Sequence, residues 1–133
     1  MTFNPDTPID NSEFLFRAIR PFQDHWNFEK GKLSSGFYKS SLPISVERDG
    51  ARSNEEIIDS FKSFFTKYFG VSKIQAEDCR KCETDICPDK KPDNIYHAII
   101  EEPGRSGVSS SKAKCLTRST IIVEFPILSD LST

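Results

Sequence analysis

Apolar and polar positions alternate along much of this chain, and the period of the alternation changes at recognisable points. Residues 14–20, FLFRAIR, are rich in aromatic and branched side chains and stop at Pro21, which predicts a strand. Pro43–Arg48 alternates apolar with polar and runs into Asp49-Gly50, a strand closed by a turn. From about 54 to 69 the period becomes helical: Ile57, Ile58, Phe61, Phe64, Phe65, Tyr68 and Phe69 fall on one wide face. Ser53 and Glu56 have capping-box spacing, and Gly70 stands where a left-handed terminator is expected. Val71–Gln75, Ile95–Ile100 and Thr120–Pro126 read as three more strands. Ser109–Thr117 reads as a short helix with Ala113 and Leu116 inward. Residues 22–42 and 76–94 keep no period and read as polar loops. The aromatics Phe22, Trp26 and Phe28 imply that the first of these loops lies against the body.

The order β, β, α, β, β, α, β predicts a single mixed α+β domain over residues 13–126, with about five strands, one long amphipathic helix and one short helix. Residues 1–12 and 127–133 read as loose tails. A length of 133 residues suits one domain. Mean hydropathy is low at −0.48, but eleven Phe, three Tyr and one Trp supply core material, which excludes disorder over the whole chain. They also leave room for a homodimer. Eighteen Lys and Arg against twenty Asp and Glu give a net charge of −2, which excludes a generally basic nucleic-acid surface. No apolar run approaches the ~20 residues that span a bilayer. The N-terminus lacks the basic and apolar regions of a signal peptide, so the expected location is the cytoplasm, without membrane contact.

Four cysteines add candidate chemistry. In a reducing cytoplasm they read as free thiols or metal ligands, not as disulfides. Cys79-x-x-Cys82 places two sulfurs on one tight turn, and Cys87 follows closely. With His97 or Cys115 as fourth ligand they would complete a structural zinc site, the ion that such a thiolate set suits. A second candidate is Gly104-Arg105-Ser106-Gly107 followed by Ser109–Lys114, where Arg105, Ser109 and Lys112 could hold an anion at a helix start. The Gly-Lys-Ser/Thr ending of a nucleoside-triphosphate loop is missing.

A third group of polar residues sits at strand ends or in nearby loops: Arg17, the Ser34-Ser35 pair, Ser45, Glu47, Arg48, Asn94 and His97. Residues on separate strands can converge on one pocket. Glu101 is on the same strand face as His97 but some ~13 Å further along, so a partner for His97 must come from another element. The segments Leu15-Phe16-Arg17-x-Ile19, Ser34-Ser35-x-Phe37, Ile44-Ser45-Val46-Glu47-Arg48 and Asn94-x-x-His97-Ala98-x-Ile100 resemble a group of small prokaryotic proteins with LYR, SSxAF, LSVDR and NPxHA segments and no assigned activity. The resemblance spans most of residues 14–125. Glu47 stands where that pattern has Asp, Tyr96 departs near its Pro-Ala, and the cysteine loop is a local addition. An Arg on the first strand, Ser45 and a later acid, Glu101 or Glu102, also echo ADP-ribosyltransferases at the level of fold analogy.

Two function classes follow. The first is a small cytoplasmic binding or accessory module, zinc-bound if the cysteines gather, acting through a protein partner or a nucleotide ligand. The second is a compact enzyme acting on a nucleotide or nucleic acid, with Arg17, Ser45, Arg48 and His97 around a pocket. The first is preferred, because the chain has no carboxylate pair, no nucleophile elbow and no metal-hydrolase spacing. The position of Arg17 relative to Arg48 and His97 discriminates between them.

Overall fold

The computed structural model describes residues 3–126; the predicted tail 127–133 lies outside the described residues. The strands are β1 (Phe14–Ile19), β2 (Trp26–Asn27), β3 (Lys32–Leu33), β4 (Ile44–Arg48), β5 (Gly70–Gln75), β6 (Asp85–Pro88), β7 (His97–Glu101) and β8 (Ile121–Glu124). The helices are α1 (Asn54–Phe64), α2 (Ala76–Lys81) and α3 (Ser110–Arg118). Six strands form one antiparallel sheet in the order β6-β7-β4-β1-β5-β8, and β2 pairs with β3 in a separate small ribbon.

This architecture corrects the predicted one of about five strands around a long helix. The described residues contain eight strands and only short helices. The additional strands come from the two segments read as loops. In 22–42, Trp26 and Leu33 pair across the β2–β3 ribbon. In 76–94, α2 turns the chain and β6 returns along β7. Asp85-Ile86-Cys87-Pro88 has little strand propensity of its own; its pairing is imposed by β7.

Helix α1 starts as predicted. The Ser53 hydroxyl accepts from the Glu56 N–H at 3.2 Å, and Glu56 accepts from the Ser53 N–H at 3.2 Å. It ends at Phe64 after eleven residues, not at 69. The apolar period continues past that point in an extended chain: Phe65 and Tyr68 still pack with the α1 side, but Phe69 packs with the far side of the sheet, its ring 6.0 Å from that of Phe28. Gly70 opens β5 instead of capping a helix. A Cβ there would lie 3.0 Å from the Glu124 carbonyl, so glycine lets β8 approach closely.

The sheet carries a core on each face. Leu15, Ile19, Val46, Ile74, Ala98 and Ile100 face a large cluster with Trp26, Phe37, Tyr38, Cys79 of α2 and Ala113 and Leu116 of α3. Phe16 and Val71 face the opposite way, onto Ile57 and Phe61 of α1. The alternation along β1 divides its side chains between the two.

Two cross-links tie the large core together. Cys82 and Cys115 form a disulfide joining the end of α2 to α3, with Cα atoms 5.7 Å apart. This corrects the reading of all four cysteines as thiols or ligands: packing α2 beside α3 brings these two within bonding distance. Arg48, 1% exposed, forms the other. Its Nε and Nη2 donate to Glu13 at 2.9 and 2.7 Å, and Nη1 donates to the Thr7 carbonyl at 2.9 Å. The segment before β1 therefore folds over Arg48, with Ile9 buried.

Three outcomes are expected. Thiol titration of the unreduced, denatured protein finds two reactive groups, Cys79 and Cys87; four would show the disulfide absent. Replacing Cys82 and Cys115 by serine lowers unfolding free energy by about 4 kcal/mol in the chain-entropy account of a 33-residue separation. Arg48→Ala strands Glu13 and costs about 3 kcal/mol, whereas Arg48→Leu with Glu13→Leu recovers most of that loss in urea unfolding.

Candidate functional site

The β1–β4 ladder is short. Cross-strand pairs join Leu15 to Arg48 and Phe16 to Glu47, while β1 pairs with β5 along six residues. Beyond Phe16 the two strands part, and the Arg17 guanidinium takes over: Nη1 donates to the Ser45 carbonyl at 3.1 Å and Nη2 to the Phe37 carbonyl at 3.4 Å. Its carbon lies 5.1 Å from the Phe37 ring centre. Burial pushes the Arg17 pKa down, with the neighbouring Tyr38 opposing the shift; an arginine nevertheless keeps its charge.

On the face that carries α1, the helix covers β1 and β5 and leaves β4 and β7 open. A cleft of about 520 Å³ runs along this boundary. Its apolar side is Phe16, Phe61, Phe64 and Phe65; its polar side includes Arg17, Arg20, His25, Ser45, Glu47, Asn94 and His97. Phe64 at the end of α1 is 66% exposed and Phe22 on the opposite side is 55% exposed.

The charges in this wall are unequal. Glu47 is neutralised by Arg52 at 2.9 Å, and Arg52 stacks on Tyr96. Arg20 lies against the rings of Phe22 and Phe65, 5.7 and 5.1 Å from their centres. Among the described residues neither Arg17 nor Arg20 meets a carboxylate, and the buried Nε of each has no hydrogen-bond partner. His25 accepts the Arg20 backbone N–H on Nδ1 at 3.0 Å. Burial, then the charges of Arg17 and Arg20, lower its pKa to about 4, so it is neutral at pH 7.

Strand register builds a second feature into the same wall. Glu47 lies opposite His97 and Ser45 opposite Ile99. Ser45 and His97 are therefore diagonal neighbours on one face, within side-chain reach. His97 Nε2 and the Ser45 hydroxyl are 3.2 Å apart. On the other side, the β6–β7 register continues to Asp89, whose backbone N–H donates to the His97 carbonyl at 2.9 Å. His97 Nδ1 lies 2.9 Å from the Asp89 carbonyl oxygen and 3.1 Å from its carboxylate. Lys91, and then His97, hold that carboxyl below its ordinary pKa.

The predicted constellation is thus partly assembled. Ser45 and His97 share the cleft; Arg17 borders it where β1 and β4 part, but its guanidinium turns to Phe37 and Tyr38 on the large-core side, and Arg48 lies on that side with Glu13. Asp89, which the sequence did not single out, joins His97. Its signal was weak: an acid eight residues before a histidine becomes a neighbour only if both flank a hairpin. Glu102 accepts from the Ser109 N–H at 2.7 Å at the start of α3, away from this cleft, and Glu101 is not in its wall.

The other predicted sites disperse. Cys79 is fully buried, its pKa pushed up to about 12 by burial. Cys87 is exposed on β6, and Cys82 and Cys115 are bonded to each other. Among the described residues, no three His, Cys, Asp or Glu side chains gather to hold a metal ion, so the expected zinc ligands are not brought together. Arg105 and Ser109 share a cavity of about 420 Å³ with Lys39, while Lys112 turns to Glu83. Gly107 reaches this region with φ of +85°, where a Cβ would strike the Ser40 backbone. No helix among the described residues is long and apolar enough to cross a membrane.

Compared with known protein families, curated proteins and solved structures, the chain matches none.

His25 sets a pH dependence. Its folded pKa of about 4 lies below the ordinary value of 6.5, so on acidification the unfolded chain takes up this proton first. The stability contributed by neutral His25 is complete above pH 6.5 and is lost as pH falls toward about 4. Melting temperature should fall less steeply across that window in His25→Asn than in the parent protein; equal slopes would remove His25 as the cause.

Proposed function

We propose that this chain is a small binding module whose cleft takes a compact ligand with an apolar body and an anionic end. One observation carries the reading: Arg20 lies in the wall of a cleft of about 520 Å³, and among the described residues its guanidinium meets no carboxylate. An anion in the cleft would pair with the Arg20 guanidinium, and charge-assisted hydrogen bonds to it are stronger than neutral ones. The apolar end of the ligand would lie on Phe61, Phe64 and Phe65, which removes ring surface from water.

The volume suits a small ligand, not a macromolecular segment. In a reducing cytoplasm Cys82 and Cys115 would be thiols. The cleft would be unaffected, because that pair belongs to the core on the other face of the sheet.

The test uses 4-phenylbutyrate and its neutral counterpart 4-phenylbutanol as probes in calorimetric titration. The carboxylate should bind, the alcohol should bind at least tenfold more weakly, and Arg20→Gln should cost the carboxylate about tenfold, in line with ~1.5–3 kcal/mol for a charged hydrogen bond. Equal binding of both probes, or none at millimolar concentration, overturns the reading.

A further inference from the structure

The cleft contains a hydrogen-bonded row that ligand binding does not require. Ser45, His97 and Asp89 come from β4, β7 and the residue after β6, and the strand register alone aligns them. The tautomer of His97 follows from its neighbours. Nδ1 faces two oxygens of Asp89, a carbonyl and a carboxylate, and both can only accept. The ring proton therefore sits on Nδ1. Nε2 then carries the lone pair, and the Ser45 hydroxyl must donate to it across 3.2 Å. This is the polarity a general base needs to take a proton from a serine. An ordinary surface hydrogen bond could equally have run the other way.

The surroundings complete the requirements. Ser45 is exposed to the cleft, so its oxygen can reach a bound molecule. Asn94 lines the same wall; its side-chain oxygen is occupied by the Tyr96 N–H at 3.0 Å, which leaves its amide N–H groups as donors. Asp89 contacts His97 and not the cleft, so it is a positioning residue.

We infer that Ser45, His97 and Asp89 form a nucleophilic relay that hydrolyses small carboxylic esters held in this cleft. In the first step the Ser45 hydroxyl oxygen bonds to the ester carbonyl carbon while its proton passes to His97 Nε2. Breaking the ester C–O bond then releases the alcohol, which leaves with the proton from His97. Water repeats the sequence on the acylated serine, giving a carboxylic acid and restoring Ser45. The Asn94 amide is the donor available to the oxyanion. The inference rests on the proposed cleft for holding the acyl group, and the acid released is the kind of ligand proposed for it.

The test is reaction of the whole protein with fluorophosphonate–biotin, with peptide mapping, and turnover of p-nitrophenyl butyrate. Label on Ser45 is expected, together with turnover that falls to background in Ser45→Ala and by about 10²-fold or more in His97→Gln. Asp89→Asn should lower turnover and change its pH profile with the melting temperature preserved, and Asp89→Glu should restore part of the rate. Failure of the folded protein to label or turn over overturns the relay, as does label or turnover that survives Ser45→Ala. The two readings fail separately: titration of 4-phenylbutyrate into the unaltered protein decides the cleft, and ester turnover decides the relay.

Discussion

An arginine buried at the end of a strand dictates which way that strand faces. Arg48 is enclosed by Glu13 and the carbonyls of the segment before β1. A charge removed from water must keep these partners, because losing one leaves an uncompensated ion. Its side chain is therefore fixed on the large-core side of β4. Side chains alternate, so Val46 and Ile44 also point inward, and Glu47 and Ser45 must point to the other face. A one-residue slip would bring Ser45 into the core and put Val46 in water. The polar wall of the cleft follows from the same constraint.

The cleft itself comes from two incomplete contacts. Strand β4 leaves β1 after two cross-strand pairs, and Arg17 fills the gap with hydrogen bonds that a strand neighbour would otherwise make. Helix α1 stops at Phe64 because the chain must double back to supply Phe69 to the other side of the sheet and Gly70 to the start of the internal strand β5. Eleven residues of helix span about 16 Å, which covers the β1–β5 half of the sheet and not the β4–β7 half. An apolar rim and a polar floor meet where the helix ends.

Much of this was legible in the residues, for identifiable reasons. The central strands and the start of α1 announce themselves through period and capping, which are local. Arg17, Ser45 and His97 stood out because polar side chains at strand positions need a partner or a route to water. The rest depends on distant parts of the chain. Arg48 was grouped with Ser45 although the two differ by an odd number of positions on one strand, which sends them to opposite faces. Asp89 escaped notice because β6 has no intrinsic signal and exists only beside β7. The helical period runs past the end of α1 because Tyr68 still packs on the α1 side, while Phe69 keeps the period but serves the other core. The cysteines gave no sign of which two would meet, since that depends on how α2 packs beside α3.

The row formed by Asp89, His97 and Ser45 has a built-in order of assembly. His97 and Asp89 are eight residues apart, across a hairpin that closes locally. Ser45 is separated from His97 by 52 residues, and that contact needs β4 and β7 to find each other across α1, β5 and α2. Local closure is entropically cheap and distant closure is slow. A nascent chain can thus orient its histidine long before a serine stands against it, and the hydroxyl is polarised only once the centre of the sheet has zipped.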